Sequence, residues 1–204
     1  DYKKFELMAV NATTGKSRKI LEETSPTFVE MNLNSGGMPN WRVINNNREV
    51  IWFSERDGWG HLYLYDGAGK VRNQITSGPW AVADVVFIDE AARTVYFTAR
   101  GREPGRNPYY RAFYRVRFDG TGLTLLSPED GDHVVSASKS GRFFLDRYSG
   151  ADKPGAALLR SADGAVIRKL EETAVSRLAE LGWKPPEIIT VRARDGVTDL
   201  YGLM

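Results

Sequence analysis

Short apolar runs separated by turn residues form the hydrophobic pattern of this chain. Residues 50–53 (VIWF), 95–98 (VYFT) and 143–145 (FFL) are typical examples, rich in β-branched and aromatic side chains. A turn rich in small or polar residues precedes each run, and apolar and polar positions alternate only in part. Such runs predict short strands joined by tight turns, and therefore an all-β fold.

The predicted strands recur with a period of about 50 residues. Glycine turns occur at Gly15, Gly67, Gly120 and Gly164, with an apolar run on each side of every turn. The segments KILEET (19–24) and KLEET (169–173) are nearly the same, three periods apart. Since four short strands in each period make up one blade of a β-propeller, the repeat predicts that architecture.

The pattern divides the chain into three parts. Residues 1–172 are predicted to form a partial β-propeller of about three full four-stranded blades (33–78, 79–128 and 129–172) plus half a blade (5–22). Residues 173–187 are predicted to be a short helix and linker, with Thr173 as its cap, because Val175, Leu178 and Leu181 recur at spacing three. Residues 188–204 are predicted to be a hairpin from the next domain.

Composition excludes several classes of function. The formal net charge is +2, which gives no footprint for nucleic acid, and the absence of cysteine excludes disulfides and cysteine-ligated zinc. No apolar run approaches the roughly 20 residues that span a bilayer. No residue set predicts a cofactor or a metal. We expect the chain to be part of a longer protein, because it begins at Asp1 and an apolar run is cut at Met204.

The clearest candidate chemistry is the charged turn SERD at residues 54–57. One interpretation is a bend between two strands, in which Gly58 supplies a positive φ and Asp57 bonds nearby backbone N–H groups. The other is that Glu55 and Arg56 face a ligand or partner. His61 and His133 are interpreted as a strand residue and a blade-entry residue.

Three further motifs have simple explanations as loops. TGKS at 14–17 copies the end of a phosphate-binding loop but lacks the earlier glycine and the following helix. EDGDH at 129–133 lacks the spacing of a calcium loop and is expected to be a solvated connection. The basic, Gly- and Pro-rich segment 100–108 is expected to be a long surface loop, mobile or able to recognise partners.

Several segments together resemble one known family. SERDGWGHLYLYD (54–66), QITSG (74–78) with Trp80, and VYFTA (95–99) resemble the final propeller blades of the dipeptidyl peptidase IV family of serine peptidases. Residues 170–204 resemble that family's passage into its α/β-hydrolase domain. The resemblance implies an eight-bladed propeller that caps a hydrolase, removal of dipeptides from free N-termini, and a periplasmic or secreted location.

The functional residues of the family do not carry over onto this sequence. The paired glutamates that grip the substrate's amino group are expected before residue 1, and Glu22-Glu23 and Glu171-Glu172 only mimic them. No G-x-S-x-G nucleophile elbow is present, and the other triad members are expected later. We therefore expect no catalytic residue here, assign no substrate-binding residue, and predict that the isolated chain is an inactive, substrate-gating part.

The expected partners are peptides in the intact enzyme, together with the hydrolase domain and the other blades. Self-association is also predicted, because an incomplete ring leaves blade faces uncovered. A propeller scaffold that binds proteins without catalysis remains an alternative, since fold does not fix function. A third alternative is a carbohydrate-binding protein that uses Trp41, Trp59 or Trp80 as stacking platforms.

Overall fold

A computed structural model describes residues 2–30 and 39–204 of the chain. The described residues form antiparallel sheets with one short helix, which confirms the predicted all-β partial propeller. Three sheets have four strands each, and neighbouring strands in each sheet are consecutive in the chain. The predicted start of the first full blade, at residue 33, lies outside the described residues.

We call the first two strands the half-blade and the three four-stranded sheets blades I, II and III. The half-blade consists of β1 (Lys4–Val10) and β2 (Ser17–Thr24). Blade I consists of β3 (Arg42–Ile44), β4 (Glu49–Ser54), β5 (His61–Asp66) and β6 (Val71–Gln74). Blade II consists of β7 (Ala81–Asp89), β8 (Thr94–Arg100), β9 (Arg111–Arg117) and β10 (Thr124–Leu125). Blade III consists of β11 (Asp132–Ala137), β12 (Phe143–Ser149), β13 (Ala156–Ser161) and β14 (Val166–Glu172).

The C-terminal region contains helix α1 (Ser176–Glu180) and a hairpin of β15 (Ile188–Arg192) and β16 (Asp199–Leu203). Thr173 does not cap the helix, contrary to the prediction. Its backbone N–H instead donates to the carbonyl of Gly155, which extends the pairing of β14 with β13, and α1 begins after Val175 without a side-chain cap. No helix among the described residues has the length and apolar character needed to cross a membrane.

The blades pack face to face, so the middle strands are covered on both sides. All six residues of β4 are buried, which explains why its sequence reads as a continuous apolar run. Between blades I and II, the Trp80 ring stacks on Phe97 at 6.1 Å and on Tyr114 at 6.5 Å. Between blades II and III, the Phe144 ring lies 4.8 Å from Tyr96. The core is therefore a series of aromatic layers between sheets.

A hydroxyl group completes the pairing of the third strand in two blades. The backbone N–H of Leu62 donates to Thr76 Oγ1 at 3.0 Å, and the backbone N–H of Phe113 donates to Ser127 Oγ at 2.8 Å. Thr76 and Ser127 both follow the short fourth strand of their blade. Their side chains thus satisfy buried N–H groups that the fourth strand does not reach.

Gly69 brings the turn between β5 and β6 against the half-blade. Its φ is +86°, and a Cβ there would lie 1.6 Å from the carbonyl oxygen of Ile20. Gly58 has a similar φ of +92° but open space around it. We expect Gly58→Ala to cost about 1–2 kcal/mol of folding free energy from backbone strain alone. Gly69→Ala should cost roughly 2 kcal/mol more, because the half-blade backbone must move.

Urea unfolding of the two variants would measure this difference. Equal free energies of unfolding for Gly58→Ala and Gly69→Ala would show that the half-blade does not press on the turn.

Candidate functional site

The charged turn of blade I is built into the joint with the half-blade. We call Glu23, Ser54, Arg56 and Tyr65 the Arg56 hub. Arg56 donates to a Glu23 carboxylate oxygen at 2.6 Å, to Tyr65 Oη at 2.6 Å and to Ser54 Oγ at 2.8 Å. Ser54 Oγ in turn donates to the other oxygen of Glu23 at 2.6 Å. The hub therefore ties β2 of the half-blade to β4 and β5 of blade I.

The surroundings of Arg56 favour its charged form. Its guanidinium carbon lies 4.4 Å from the centre of the Tyr63 ring, within cation–π range. Burial alone would lower the pKa of Arg56, but Tyr65 and Glu23 outweigh burial and raise it. Arg56 is thus occupied by internal partners, and the interpretation in which it faces a ligand is not supported.

Asp57 serves the turn itself. One of its carboxylate oxygens accepts the backbone N–H of Trp59 at 3.2 Å, and the other accepts the Gln74 side-chain amide at 2.6 Å. Burial and the nearby Asp57 charge raise the pKa of Tyr63 to about 12. Gly58 has the predicted positive φ. These contacts describe a strand-to-strand bend, as the first interpretation of the SERD turn proposed.

A pocket of about 400 Å³ opens beside the hub, between residues 23–30 and 54–58. Burial and the charge of Glu30 raise the pKa of Glu55, which lines this pocket. The described lining residues include serine and threonine hydroxyls but no histidine. The pocket therefore presents carboxylate and hydroxyl side chains beside the hub.

Both histidines are fully buried structural residues. The two ring nitrogens of His61 contact Thr76 Oγ1 at 3.0 Å and the carbonyl of Gly78 at 2.9 Å. His133 contacts the carboxylate of Asp146 through Nδ1 at 2.8 Å and the carbonyl of Glu129 through Nε2 at 3.0 Å. Both ring nitrogens of His133 thus lie within hydrogen-bonding distance of internal oxygen atoms. Burial keeps both rings from any substrate.

His133 belongs to an ionic cluster that the sequence did not reveal. We call Glu129, His133, Asp146 and Arg160 the blade III ionic cluster. Arg160 donates to Asp146 at 2.7 Å and also binds the Glu129 carboxylate, and its side chain is 1% exposed. Asp146 is 0% exposed, so one carboxylate serves two buried partners. The cluster joins the entry of blade III to its two middle strands.

The acidic entry of blade III pairs with cationic side chains. Asp130 pairs with Lys153, and Asp132 accepts from Arg111 at 2.7 Å. In the described part of the chain, no three histidine or carboxylate side chains are grouped as a metal would require. The expected solvated connection is therefore held by ion pairs.

The basic segment between β8 and β9 is a surface loop, but it is anchored. Arg106 donates to the carbonyls of Ser127, Pro128 and Glu129, and Glu103 accepts from Tyr114 Oη at 3.0 Å. These bonds favour an ordered connection to blade III over a mobile linker.

The TGKS segment is the turn between β1 and β2, where Asn11 Oδ1 accepts two backbone N–H groups. No helix follows that turn, since the chain continues directly into β2.

The two glutamate pairs do not converge on a common site. Lys19 and Lys4 lower the pKa of Glu22 to about 2 on the outer face of the half-blade, whereas Glu23 lies in the hub. Glu172 pairs with Lys169 on the exposed strand β14. Glu22 and Glu172 are thus each paired with lysines, and Glu23 with Arg56.

The proposed stacking tryptophans differ in exposure. Trp80 is 4% exposed within the core, whereas Trp59 is 46% exposed. Trp41 packs against Trp52 with ring centres 6.2 Å apart. The carbohydrate interpretation therefore loses Trp80, because a buried ring cannot stack on a sugar.

The structure thus defines a partial β-propeller in which the Arg56 hub joins the half-blade to blade I, while the blade III ionic cluster joins strands within one blade. The family model for the dipeptidyl peptidase IV (DPP IV) N-terminal region matches residues 1–155. The chain belongs to this family, in agreement with the resemblance of its sequence motifs.

Individual relatives agree with this assignment. The chain is 25% identical over 166 residues to a probable dipeptidyl peptidase 4 of Trichophyton verrucosum, a match that covers 74% of this chain and 22% of that protein. It is 30% identical over 136 residues to a probable dipeptidyl peptidase 4 of Emericella nidulans, covering 62% and 17%. The matches therefore span about a fifth of the length of these relatives.

Solved structures share the fold. Dipeptidyl peptidase 4 of Porphyromonas gingivalis superposes with a TM-score of 0.79 at 24% identity, over 99% of this chain and 28% of that one. A putative dipeptidyl aminopeptidase IV of Bacteroides ovatus gives a TM-score of 0.73 at 25% identity, over 98% and 30%. The chain accordingly has the propeller fold found in part of these proteins.

Proposed function

We propose that this chain acts as the structural and substrate-gating part of an exopeptidase that removes dipeptides from free peptide N-termini. The observation that carries the proposal is the family match over residues 1–155, together with curated relatives named as dipeptidyl peptidases. A propeller stacked on a hydrolase would exclude large folded proteins and leave a path for peptide ends. Selection would thus reside in this segment.

The interior of the segment suits a rigid gate. The Arg56 hub and the loop anchored by Arg106 each cross-link neighbouring sheets. Cross-linked sheets with buried aromatic layers resist deformation, because packed interiors are nearly incompressible. A rigid propeller segment of this kind would keep the width of the substrate path constant.

The catalytic chemistry would come from a domain that continues the C-terminal hairpin. We propose that residues 188–204 form the first strands of an α/β-hydrolase domain. An isolated two-stranded hairpin is only marginally stable in water, and Leu200 and Leu203 are 43% and 60% exposed. Packing against further strands would cover them. A periplasmic or secreted location and self-association through the open face of blade III both remain proposals.

Activity assays test this division of labour. The purified chain, incubated with a dipeptidyl-aminoacyl chromogenic substrate, is expected to give no turnover above the blank. The gene downstream of Met204 should encode a G-x-S-x-G elbow, and its product should hydrolyse the same substrate. Turnover by the purified chain, or a stop codon directly after Met204, would contradict the proposal, and the stop codon would favour a scaffold.

A further inference from the structure

One connection breaks the regularity of the blades. The link between the second and third strands spans residues 55–60 in blade I and residues 150–155 in blade III, but residues 101–110 in blade II. We call residues 101–110 the Arg106 loop. In repeat folds, an insertion into one repeat is often a binding element on that face of the molecule. The extra length of this loop therefore points to a contact outside blade II.

The Arg106 loop is held in place by blade III. Arg106 donates to the carbonyl of Pro128 at 2.5 Å. Near the end of the loop, Tyr110 Oη accepts the backbone N–H of Ala151 at 2.9 Å. A side chain between these two anchors therefore has a defined position.

Tyr109 lies between the anchors and projects away from the blades. Its backbone N–H donates to Asn107 Oδ1 at 3.0 Å, while the residue is 58% exposed. Among the described aromatic rings, the Tyr109 ring contacts only that of Tyr201 in β16, edge to face, with ring centres 6.0 Å apart. The loop thus presents an aromatic ring to the C-terminal hairpin rather than to its own blade.

The hairpin meets the loop with one of its two faces. Tyr201 lies opposite Thr190 in the pairing of β15 with β16. Because successive strand residues point to opposite faces, the neighbouring pair of Leu200 and Val191 lies on the other face. The face that carries Tyr201 is therefore the one turned toward blade II.

The segment that leads to the hairpin does not fix its position. Helix α1 contains no buried residue, and Leu181 and Trp183 are 84% and 45% exposed. A two-stranded hairpin by itself is only marginally stable in water. In this chain, the order of the hairpin therefore depends on its contact with the Arg106 loop.

We propose that the Arg106 loop is a docking surface for the C-terminal hairpin of the same chain, with Tyr109 as the anchor against Tyr201. The edge-to-face arrangement is attractive because the positive edge of one ring meets the negative face of the other. Docking fixes the direction in which the chain leaves the propeller. This role goes beyond the proposed function and does not depend on peptidase activity.

Hydrogen exchange of the full chain measures the docking. Tyr109→Ala should raise the exchange rates of the β15 and β16 amides about three- to tenfold, because the undocked hairpin opens more often. Tyr109→Phe keeps the ring and should leave these rates within about twofold of the original. Trp59→Ala is the matched control, since it removes an exposed ring from the equivalent connection of blade I, and it should also leave them unchanged.

A double-mutant cycle separates the ring pair from other effects. Tyr201→Ala should also raise hairpin exchange, and adding Tyr109→Ala to it should have little further effect. Amides of β9 should keep their protection, because the anchors of the loop remain. Unchanged hairpin exchange in Tyr109→Ala, independent effects of the two substitutions, or lost protection of β9 would each overturn the proposal.

Cross-linking tests the same contact without relying on exchange. The chain contains no cysteine, so Pro108→Cys with Thr190→Cys places the only two thiols beside the two rings. A short bis-maleimide should link them within one molecule, and adding Tyr109→Ala should slow the reaction about threefold or more, whereas Tyr109→Phe should not. Equal rates in all three proteins would refute the docking. Neither measurement uses catalysis, so the result is independent of the proposed peptidase function.

Discussion

Replacing Asp146 with alanine is expected to lower the free energy of unfolding by roughly 3–5 kcal/mol. Asp146 is fully buried and accepts from both Arg160 and His133. Its removal leaves a buried guanidinium with Glu129 as its remaining charged partner, and leaves the His133 ring facing a cavity. Desolvated charges cannot recover their hydration inside the blade, so the cost greatly exceeds that of one lost hydrogen bond.

Urea unfolding gives the total loss, and hydrogen exchange locates it. Amides of β12 and β13 should lose protection first, while those of blade I keep theirs. Lys153→Ala is the control, because its pair with Asp130 has both side chains about half exposed and is expected to contribute less than about 1 kcal/mol. A loss below about 1 kcal/mol for Asp146→Ala would mean that water reaches the cluster.

Replacing Asn40 with leucine should cost roughly 2–4 kcal/mol of folding free energy. Asn40 is fully buried and lies just before β3. Its side-chain amide bonds to the backbone of β7 in blade II, as a neighbouring strand would. It donates to the carbonyl of Ala83 at 2.6 Å and accepts the N–H of Val85 at 2.8 Å. Leucine has the same branched shape as asparagine but cannot accept the buried N–H of Val85.

Asn73 provides a matched comparison for Asn40. It joins the same two blades, since its amide donates to the carbonyl of Phe118 at 2.8 Å, but it is only partly buried. Water can replace that bond, so Asn73→Ala should cost about 1 kcal/mol. Equal free energies of unfolding for the Asn40 and Asn73 variants, measured in urea, would show that burial does not set the contribution of these hydrogen bonds between blades.

Much of the fold could be predicted from the sequence because each blade is a local structure. Strands that are consecutive in the chain pair with each other. Turn residues such as Gly120 and apolar runs such as residues 95–98 are therefore enough to predict which strands form a sheet. The Asp57 turn was predicted for the same reason, since its partner Trp59 is two residues away. Helix α1 was placed correctly, but its cap was not, because Thr173 is captured by the sheet.

The polar clusters between blades could not be predicted in this way. Arg56 and Glu23 are 33 residues apart, and Asn40 and Val85 are 45 apart. No local sequence pattern distinguishes a glutamate that accepts hydrogen bonds from a neighbouring blade from a glutamate that is exposed to water. The glutamate pair at residues 22–23 shows this, since one member is exposed among lysines and the other lies in the Arg56 hub.

The sequence by itself determined the repeat, the all-β architecture and the family, because strand periodicity and turn chemistry are properties of neighbouring residues. Only the tertiary structure decided which polar residues are buried and which loops are anchored. Those outcomes depend on how one blade lies against the next, and that contact joins residues from different periods of the chain.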